Sequence, residues 1–288
     1  MSVDPEIEAK CKEISTNYSA CDVSDALLKL KVPQAGFLPD ILPLNNSNNG
    51  KATTIVAPIS TVLFVPKTPS PSQATPAPTT TARQTTPIPP ESNIPQDKHW
   101  TDLPAPGTIV LLQQPPGQIC AVCGDMLATR LKVRGTRGIV ADGRVRDVVA
   151  LAELCRPSST TATIASSNSS GEGRSGAETP FTVWSRGTST VGTGLAAQAW
   201  CVDVPLSLGT HNDSTTTTTT SVTSPESLQV HPGDIIVCDE GERGSAVIPR
   251  SKLDEVLNLL PGLKEADEKC IADVGAGVDV REAFRRHR

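Results

Sequence analysis

The sequence lacks the features that would place this protein in a membrane or on a highly charged partner. No apolar run approaches the length of a membrane span, and the first residues, MSVDPEIEAK, lack the apolar core of a signal peptide. The 288 residues carry 26 Lys and Arg against 31 Asp and Glu, so the net charge of -5 gives no reason to expect a nucleic acid or an anionic membrane as a partner. We therefore expect a cytoplasmic protein.

Histidine is scarce, and the cysteines lack the spacing of a disulfide framework or of a metal-binding motif. The four histidines lie in low-complexity stretches, in a His-Pro-Gly turn and near the C-terminus: His99, His211, His231 and His287. A histidine-centred triad or a histidine-rich zinc site is therefore not expected. The eight cysteines are scattered, and Cys120-x-x-Cys123 ends an apolar run with no second metal-binding pair. We interpret them as mostly buried, reduced thiols, the alternative being a thiol exposed near the active site.

Three stretches are rich in Ser, Thr and Pro and poor in apolar residues: 67–106, 157–178 and 210–227. Such segments bury too little apolar surface to offset the entropy lost on ordering, so we predict that they are disordered. Segments resembling strands recur on both sides of each stretch. We therefore interpret residues 1–288 as a single domain interrupted by long surface insertions.

The most informative stretch begins where an apolar run ends. The run 119–123 predicts a strand, Gly124 and Asp125 open a helix that continues through Leu131, and Gly135 suits the position after the helix. An acid in the first turn of a helix is most often only a cap or a charge that compensates the helix dipole. This first unit alone therefore does not indicate a functional site.

A second unit of the same kind follows at once. Residues 138–141 predict a short strand, Asp142-Gly143 a turn, and Arg146-Asp147 the start of the helix VVALAEL, which ends before Pro157. An Arg beside an Asp is usually a solvated pair. Here, however, acids and Arg fall at the same end of two adjacent units, where ligands bind in such folds.

This set of residues restricts the chemistry further. Lys132, the one lysine near the motif, is predicted mid-helix, so a Schiff base has no obvious bearer. Two carboxylates and a guanidinium suit a hard divalent cation, Mg²⁺ or Mn²⁺, that keeps several waters. Helices are predicted at both ends of the chain, one of them capped by Asp22 or Ser24 and two others separated by Pro261-Gly262. With strands between them, these helices indicate a mixed α/β layered domain.

Asp125, twenty intervening residues and then Arg146-Asp147 resemble the signature of a known family. That family holds the class II 4-hydroxy-4-methyl-2-oxoglutarate aldolases and the regulators of ribonuclease activity A. Further blocks resemble it in family order: CDVSDALLKL (21–30), TVLFVP (61–66), SRGTSTVGTG (185–194), HPGDIIVCDE (231–240), AVIPRSKLDEVLNLLP (246–261) and the tail from 265. The resemblance implies a β/β/α fold like the phosphohistidine swivelling domain, assembled as homotrimers or homohexamers.

The resemblance also implies roles for individual residues. Asp147 would bind the metal, Arg146 would contact the substrate and stabilise a pyruvate enolate, and Asp125 would hold a metal-bound water and help to move protons. The backbone N–H groups over Gly124, Asp125, Met126 and Leu127 would take the carboxylate of the 2-oxo acid. The implied reaction is cleavage of 4-hydroxy-4-methyl-2-oxoglutarate or a related 4-hydroxy-2-oxo acid to pyruvate, with decarboxylation of oxaloacetate as a side activity.

Two departures from the family pattern leave alternatives open. Val148, Val149 and Ala150 stand where an additional acid often follows the Arg-Asp pair, and we predict that Asp239 or Glu240 supplies an acid to a neighbouring subunit. The ribonuclease-regulator branch shares the fold and would make this chain a non-catalytic protein-binding regulator. A catalytically inactive relative of the enzymes is a third possibility.

Overall fold

A computed structural model describes residues 3–44, 53–67, 86–156, 180–209 and 227–288. The predicted insertion 157–178 lies outside the described residues, and so do nearly all of 210–227 and residues 68–85 of the first insertion. Within the described ranges, no helix is both long enough and apolar enough to cross a membrane.

Six helices and eleven strands make up the described fold. The helices are α1 (Pro5–Asn17), α2 (Ala20–Lys29), α3 (Asp125–Val133), α4 (Val148–Cys155), α5 (Leu253–Gly275) and α6 (Val280–His287). The strands are β1 (Leu42–Pro43), β2 (Thr54–Pro66), β3 (Ile109–Gln113), β4 (Ala121–Cys123), β5 (Gly138–Val145), β6 (Thr182–Thr188), β7 (Ala197–Val202), β8 (Leu206–Leu208), β9 (Leu228–Val230), β10 (Ile235–Asp239) and β11 (Gly244–Ile248).

The sheet is mixed and is organised around the 13-residue strand β2. Its middle pairs parallel with β3, its start antiparallel with β10, and its end antiparallel with β7. Strands β3, β5 and β6 continue the parallel part, β4 lies parallel beside β5, and β10 pairs with β11. This nearly closed mixed sheet with helices outside it confirms the predicted mixed α/β class.

Three buried clusters hold the layers together. One fills the space between the large sheet and the β8–β9 pair and includes Trp184 and Leu206. A second lies under α3 and α4 and includes Leu131 and Leu151. The third lies under the terminal helices and includes Ile14. Apolar packing therefore holds α3 and α4 against the sheet, and their N-terminal ends remain available for other contacts.

Two helix boundaries differ from the sequence-based predictions. We expected Asp22 or Ser24 to cap α2, but Ser19 is the cap, with Asp22 as its partner in a reciprocal capping box. We also expected separate helices on either side of Pro261-Gly262, whereas α5 continues through the proline. Pro261 lies on the exposed side of α5, while Leu260 and Cys270 on its other side are buried, so packing overrides the local signal.

The disorder predicted for the first insertion, 67–106, is partly wrong. Residues 86–106 are packed against the sheet. Trp100 is buried, and its ring packs edge-on against that of Phe64, with 5.7 Å between the ring centroids. The side chain of Asn93 both donates to the carbonyl of Val202 and accepts from its N–H. A few well-placed polar and aromatic contacts thus order a segment whose composition predicts disorder.

This packing gives the first prediction. Replacing residues 158–177 and 211–225 by short Gly/Ser connectors should leave stability nearly unchanged, because each doubling of loop length changes the closure free energy by only about 0.6 kcal/mol. Replacing residues 86–100 in the same way should destabilise the protein by at least about 3 kcal/mol, since Trp100 is lost from the core. Urea unfolding of both variants measures the difference, and equal stabilities would contradict it.

Candidate functional site

The candidate site forms where β4 and β5 end side by side. The two strands pair in parallel, with Cys123 opposite Val145, so the residues that follow them begin next to each other. The backbone N–H of Arg146 donates to the carbonyl of Cys123 at 3.0 Å. Asp125 is the first residue of α3, and Asp147 is the residue before α4. The predicted meeting of the two helix starts is therefore present in the structure.

The predicted turn at Asp142-Gly143 is wrong, because β5 continues through it to Val145. The buried side chain of Gln114 accounts for this. Its Oε1 accepts from the N–H of Arg144 at 2.8 Å, and a Cβ on Gly143 would lie 2.4 Å from the same oxygen. The absence of a side chain at Gly143 thus makes room for the amide of Gln114, which follows β3. This amide holds β5, the strand that leads to Arg146.

Asp147 has an unusual backbone and an unusual partner. Its φ of 58° and ψ of 41° place it in the left-handed region, and its side chain makes no capping hydrogen bond to its own helix. Instead Oδ2 accepts from the Nε of Arg146 at 3.2 Å and from the backbone N–H of Asp125 at 3.4 Å. An ordinary N-cap side chain would bond to the first turn of its own helix. The Asp147 carboxylate instead bonds between the two helix starts.

Asp125 behaves more like an ordinary first-turn acid. Its Oδ1 accepts from the N–H of Met126 at 2.6 Å, and the Met126 side chain is exposed. Leu127 packs against the cluster under α3. The N–H groups of Asp125 and Met126, predicted to take a substrate carboxylate, therefore already face carboxylate oxygens. Their role as a substrate site stays a prediction.

Two glycines leave the room that Arg146 and Asp147 occupy. A Cβ on Gly124 would lie 2.4 Å from Oδ2 of Asp147 and 3.1 Å from Cγ of Arg146. A Cβ on Gly192 would lie 2.6 Å from Nη1 of Arg146. Gly192 was not among the predicted site residues. The only sequence signal for it was its place in the block 185–194.

The starts of α3 and α4 form one wall of the site, and the loop after β6 forms the second wall. Val191 accepts from the N–H of Ala121 at 2.8 Å, and the hydroxyl of Thr193 donates to the carbonyl of Ala121 at 2.6 Å. The N–H of Ser189 donates to the carbonyl of Val145 at 2.9 Å. These bonds connect the loop to the start of β4 and to the end of β5, the two strands that lead into the site.

Between the walls lies an open cleft of about 710 Å³, lined by Asp125, Arg146, Asp147, Val148, Val149, Ala150, Thr188, Ser189 and Thr190. The side chains of Arg146 and Asp147 are 45% and 38% exposed, so solvent and a small ligand can reach both. The arrangement offers one guanidinium and two carboxylates at the carboxyl ends of parallel strands, where α/β proteins bind their ligands.

The two cysteines near the cleft, Cys120 and Cys123, are buried. Burial, and then the charges of Asp125 and Asp147, raise the pKa of the Cys123 thiol to about 12. Cys120 is also buried, with its thiol facing the amide of Gln118. A thiol must be deprotonated to attack or to bind a metal, so the geometry supports the interpretation of this pair as structural.

The donor set of the cleft fits a hard divalent cation. No group of three or more His, Cys, Asp or Glu side chains suited to hold a metal occurs within the described ranges. A cage built entirely from the protein is therefore absent there. Mg²⁺ and Mn²⁺ do not require one, because they bind through one or two carboxylates and keep water and substrate oxygens as further ligands. Asp147 and Asp125 are the carboxylates that line the cleft.

Of the two acids predicted to serve a neighbouring subunit, Asp239 makes its contacts within its own chain. Its buried carboxylate accepts from the N–H of Ala20 at 2.9 Å and from those of Gly241 and Glu242 at 3.0 and 3.3 Å. It therefore fixes the start of α2 and the turn after β10. Burial raises the pKa of Glu240, which contacts the hydroxyl of Thr182 at the end of β6 opposite the cleft. Donation of Glu240 to another subunit stays a prediction.

The fold and the cleft define the class: a mixed α/β protein with an acid–arginine–acid site at two adjacent helix starts. The chain belongs to the Aldolase/RraA family, whose RraA-like model matches residues 20–241. That family includes both aldolases and inhibitors of ribonuclease E. The resemblance inferred from the sequence motifs is thereby confirmed.

Solved structures share the fold at low sequence identity. An uncharacterized protein from Pseudomonas syringae pv. tomato str. DC3000 superposes with a TM-score of 0.62 at 18% identity, covering 99% of this chain and 96% of its own. Streptomyces coelicolor RraAS2, described as an unusual member of the ribonuclease ES inhibitor RraA family, gives 0.57 at 20% identity, covering 92% and 96%. At these identities the likeness shows the fold alone.

Proposed function

We propose that this protein is a divalent-metal-dependent aldolase that cleaves a 4-hydroxy-2-oxo acid to pyruvate. 4-Hydroxy-4-methyl-2-oxoglutarate is the first candidate substrate, oxaloacetate decarboxylation is the expected side reaction, and a homotrimer or homohexamer is the expected assembly. The observation that carries the proposal is the carboxylate of Asp147. It is turned away from its own helix, toward Arg146 and the start of α3, in an open cleft.

The residues of the cleft divide the chemistry between them. Asp147 would hold a divalent cation, and this cation would supply a Lewis acid for the 2-oxo acid. Arg146 binds the substrate oxygens and stabilises the negative charge that develops on the keto oxygen. Asp125 takes the proton of the 4-hydroxyl group. The C3–C4 bond breaks, the 4-hydroxyl carbon leaves as a carbonyl, and the electron pair of the broken bond remains in the enolate. The proton held by Asp125 then passes to C3 and converts the enolate to pyruvate.

Within the described residues, neither the histidines nor Lys132 lines the cleft. Of the histidines in the described ranges, His99 contacts Thr101, His287 contacts Asp273, and His231 lines a different cleft. The amine of Lys132 donates to the carbonyl of Leu154 at 2.8 Å and does not line the cleft. His211 lies outside the described residues. These placements support a mechanism based on carboxylates and a guanidinium.

The proposal is tested by measuring pyruvate release from 4-hydroxy-4-methyl-2-oxoglutarate and from oxaloacetate. We expect turnover with Mg²⁺ or Mn²⁺, loss of at least about 100-fold after exhaustive chelation, and recovery when the cation is returned. Turnover that survives chelation unchanged would contradict the metal-dependent mechanism. A folded protein that cleaves neither acid with any divalent cation would favour the regulator branch of the family.

A further prediction concerns the geometry of Arg146. Arg146→Lys keeps the positive charge but loses the planar fork that can bind two oxygens, so kcat/KM should fall by about 100-fold or more. Arg130→Lys is the matched control, because Arg130 is exposed on α3 and lies outside the cleft lining. Steady-state kinetics on oxaloacetate compare the two variants. Equal activity of Arg146→Lys and wild type would show that the guanidinium does not bind the substrate.

A further inference from the structure

Strand β5 changes its partner just before it reaches the cleft. Residues 138–142 of β5 pair with β3, whereas 144–145 pair with β4. Gly143 lies at the change, and the pairing of β5 with β6 shifts register in the same region. A continuous ladder therefore does not set the position of the strand end that leads to Arg146 and Asp147.

The side chain of Gln114 spans this break. It is buried, and its Oε1 accepts from the N–H of Arg144 in β5 at 2.8 Å. Its Nε2 donates to the carbonyl of Cys120, the residue before β4, at 2.6 Å. The backbone N–H of Gln114 donates to the carbonyl of Asp142 at 3.1 Å. One residue therefore joins the end of β3 to both strands that lead into the cleft.

The two strands held by this amide also carry the contacts of the second wall. Ala121, which follows Cys120, bonds to the loop after β6. The guanidinium of Arg144 donates to the carbonyl of Thr188, in the lining of the cleft, at 3.0 Å. An amide presents a donor and an acceptor at a fixed separation, so Gln114 sets the spacing of β4 and β5 and, through them, of both walls.

We infer that Gln114 is a positioning residue for the reaction of the cleft, an assignment that rests on the proposed aldolase function. Its amide holds the starts of α3 and α4 at the separation at which Asp125, Arg146 and Asp147 act on one substrate. Gln114 itself lies outside the cleft lining. Because a displacement of about 1 Å in a catalytic group can reduce the rate by about 100-fold, loss of this amide should lower kcat although all three charged side chains remain.

Gln114→Glu tests the inference through its pH dependence. A protonated carboxyl group donates through its O–H and accepts through its other oxygen, so it can replace both bonds of the amide. An ionised carboxylate only accepts and would face the carbonyl of Cys120 without a donor. Burial and this carbonyl should raise the pKa of the introduced carboxyl group, so that both bonds are present at low pH and one is lost as the pH rises.

The readout is kcat on oxaloacetate with Mg²⁺, relative to wild type at the same pH. For Gln114→Glu we expect a value within about threefold of wild type at about pH 5.5 and a loss of at least about tenfold at about pH 9. The Cys120 thiol, 3.7 Å from Nε2 of Gln114, is present in both proteins, so the ratio cancels its own titration.

Gln113→Glu is the matched control. Gln113 is also buried, and its amide bonds to Thr86 and Ser207 instead of to β4 and β5. The same buried charge should lower the melting temperature of both variants as the pH rises, but only Gln114→Glu should lose kcat while folded. Mn²⁺ binding, measured by calorimetry at the higher pH, should weaken in Gln114→Glu and stay at the wild-type level in the control.

A second variant protects the test from a folding defect in the first. Gln114→Met keeps the length of the side chain without its amide and should lose at least about tenfold in kcat at both pH values. Wild-type kcat in Gln114→Met, or a pH profile of Gln114→Glu that follows the control, would overturn the positioning role alone. If the wild-type protein cleaved neither 2-oxo acid, the proposed aldolase function would be wrong, and the role of Gln114 with it.

Discussion

Asp147→Asn should abolish metal-dependent cleavage while the protein stays folded. Asparagine keeps the shape of the side chain and tolerates the left-handed backbone that Asp147 adopts at φ 58°. It removes the negative charge that would hold the cation, and with it the Lewis acid on which the reaction depends. We expect kcat on either 2-oxo acid to fall by about 1,000-fold or more. Asp147→Ala should be equally inactive but also less stable, because alanine is strained at positive φ.

The control for this variant is available in the same chain. Asp203 is a second aspartate at positive φ, 53°, and its carboxylate accepts from the hydroxyl of Ser60 at 2.6 Å, outside the cleft lining. Asp203→Asn makes the same chemical change on the same kind of backbone and should keep full activity. Mn²⁺ binding, measured by calorimetry, should be lost in Asp147→Asn and retained in the control. Wild-type activity of Asp147→Asn with Mg²⁺ would rule out Asp147 as the metal ligand.

The sequence was sufficient to predict the two strand-to-helix units and the meeting of their ends. Helix starts and buried strands depend on local patterns, such as the apolar run before Gly124 and the acid after it. Parallel pairing of neighbouring strands then brings Asp125 and Asp147 together without any further information. The turn predicted at Asp142-Gly143 is wrong because Gln114, whose side chain holds this segment within β5, is distant in sequence.

The second wall of the cleft could not be predicted for the same reason, because its contacts join residues that are distant in sequence. Ser189 and Gly192 reach the site because β6 pairs beside β5 and because the loop bonds to Ala121 and Val145. No local pattern in 188–193 indicates this approach. The packing of residues 86–106 was missed for a related reason, since composition counts apolar residues but not their positions. A single buried Trp100 and paired amides such as that of Asn93 are enough to fix the segment.

Gly124→Ala should reduce activity strongly although it leaves all the charged groups in place. The backbone of Gly124, at φ −133° and ψ −172°, is extended and accessible to alanine, so no backbone strain is introduced. The added Cβ, however, would lie 2.4 Å from Oδ2 of Asp147, and real contacts are never so short. The carboxylate must therefore move away from the start of α3, and the neighbouring stem of Arg146 must move with it.

A shift of about 1 Å in a catalytic group can reduce the rate by about 100-fold, so we expect a loss of at least that size in kcat for Gly124→Ala. The effect on stability should be small, because both displaced side chains are partly exposed and can relax into the cleft. Gly194→Ala is the control: it lies in the loop of the second wall, and its Cβ would meet nothing closer than the amine of Lys67 at 4.0 Å. Kinetics and thermal unfolding of the two variants separate lost geometry from lost folding. If Gly124→Ala turned over like the control, the observed position of the Asp147 carboxylate would not be the one that the reaction uses.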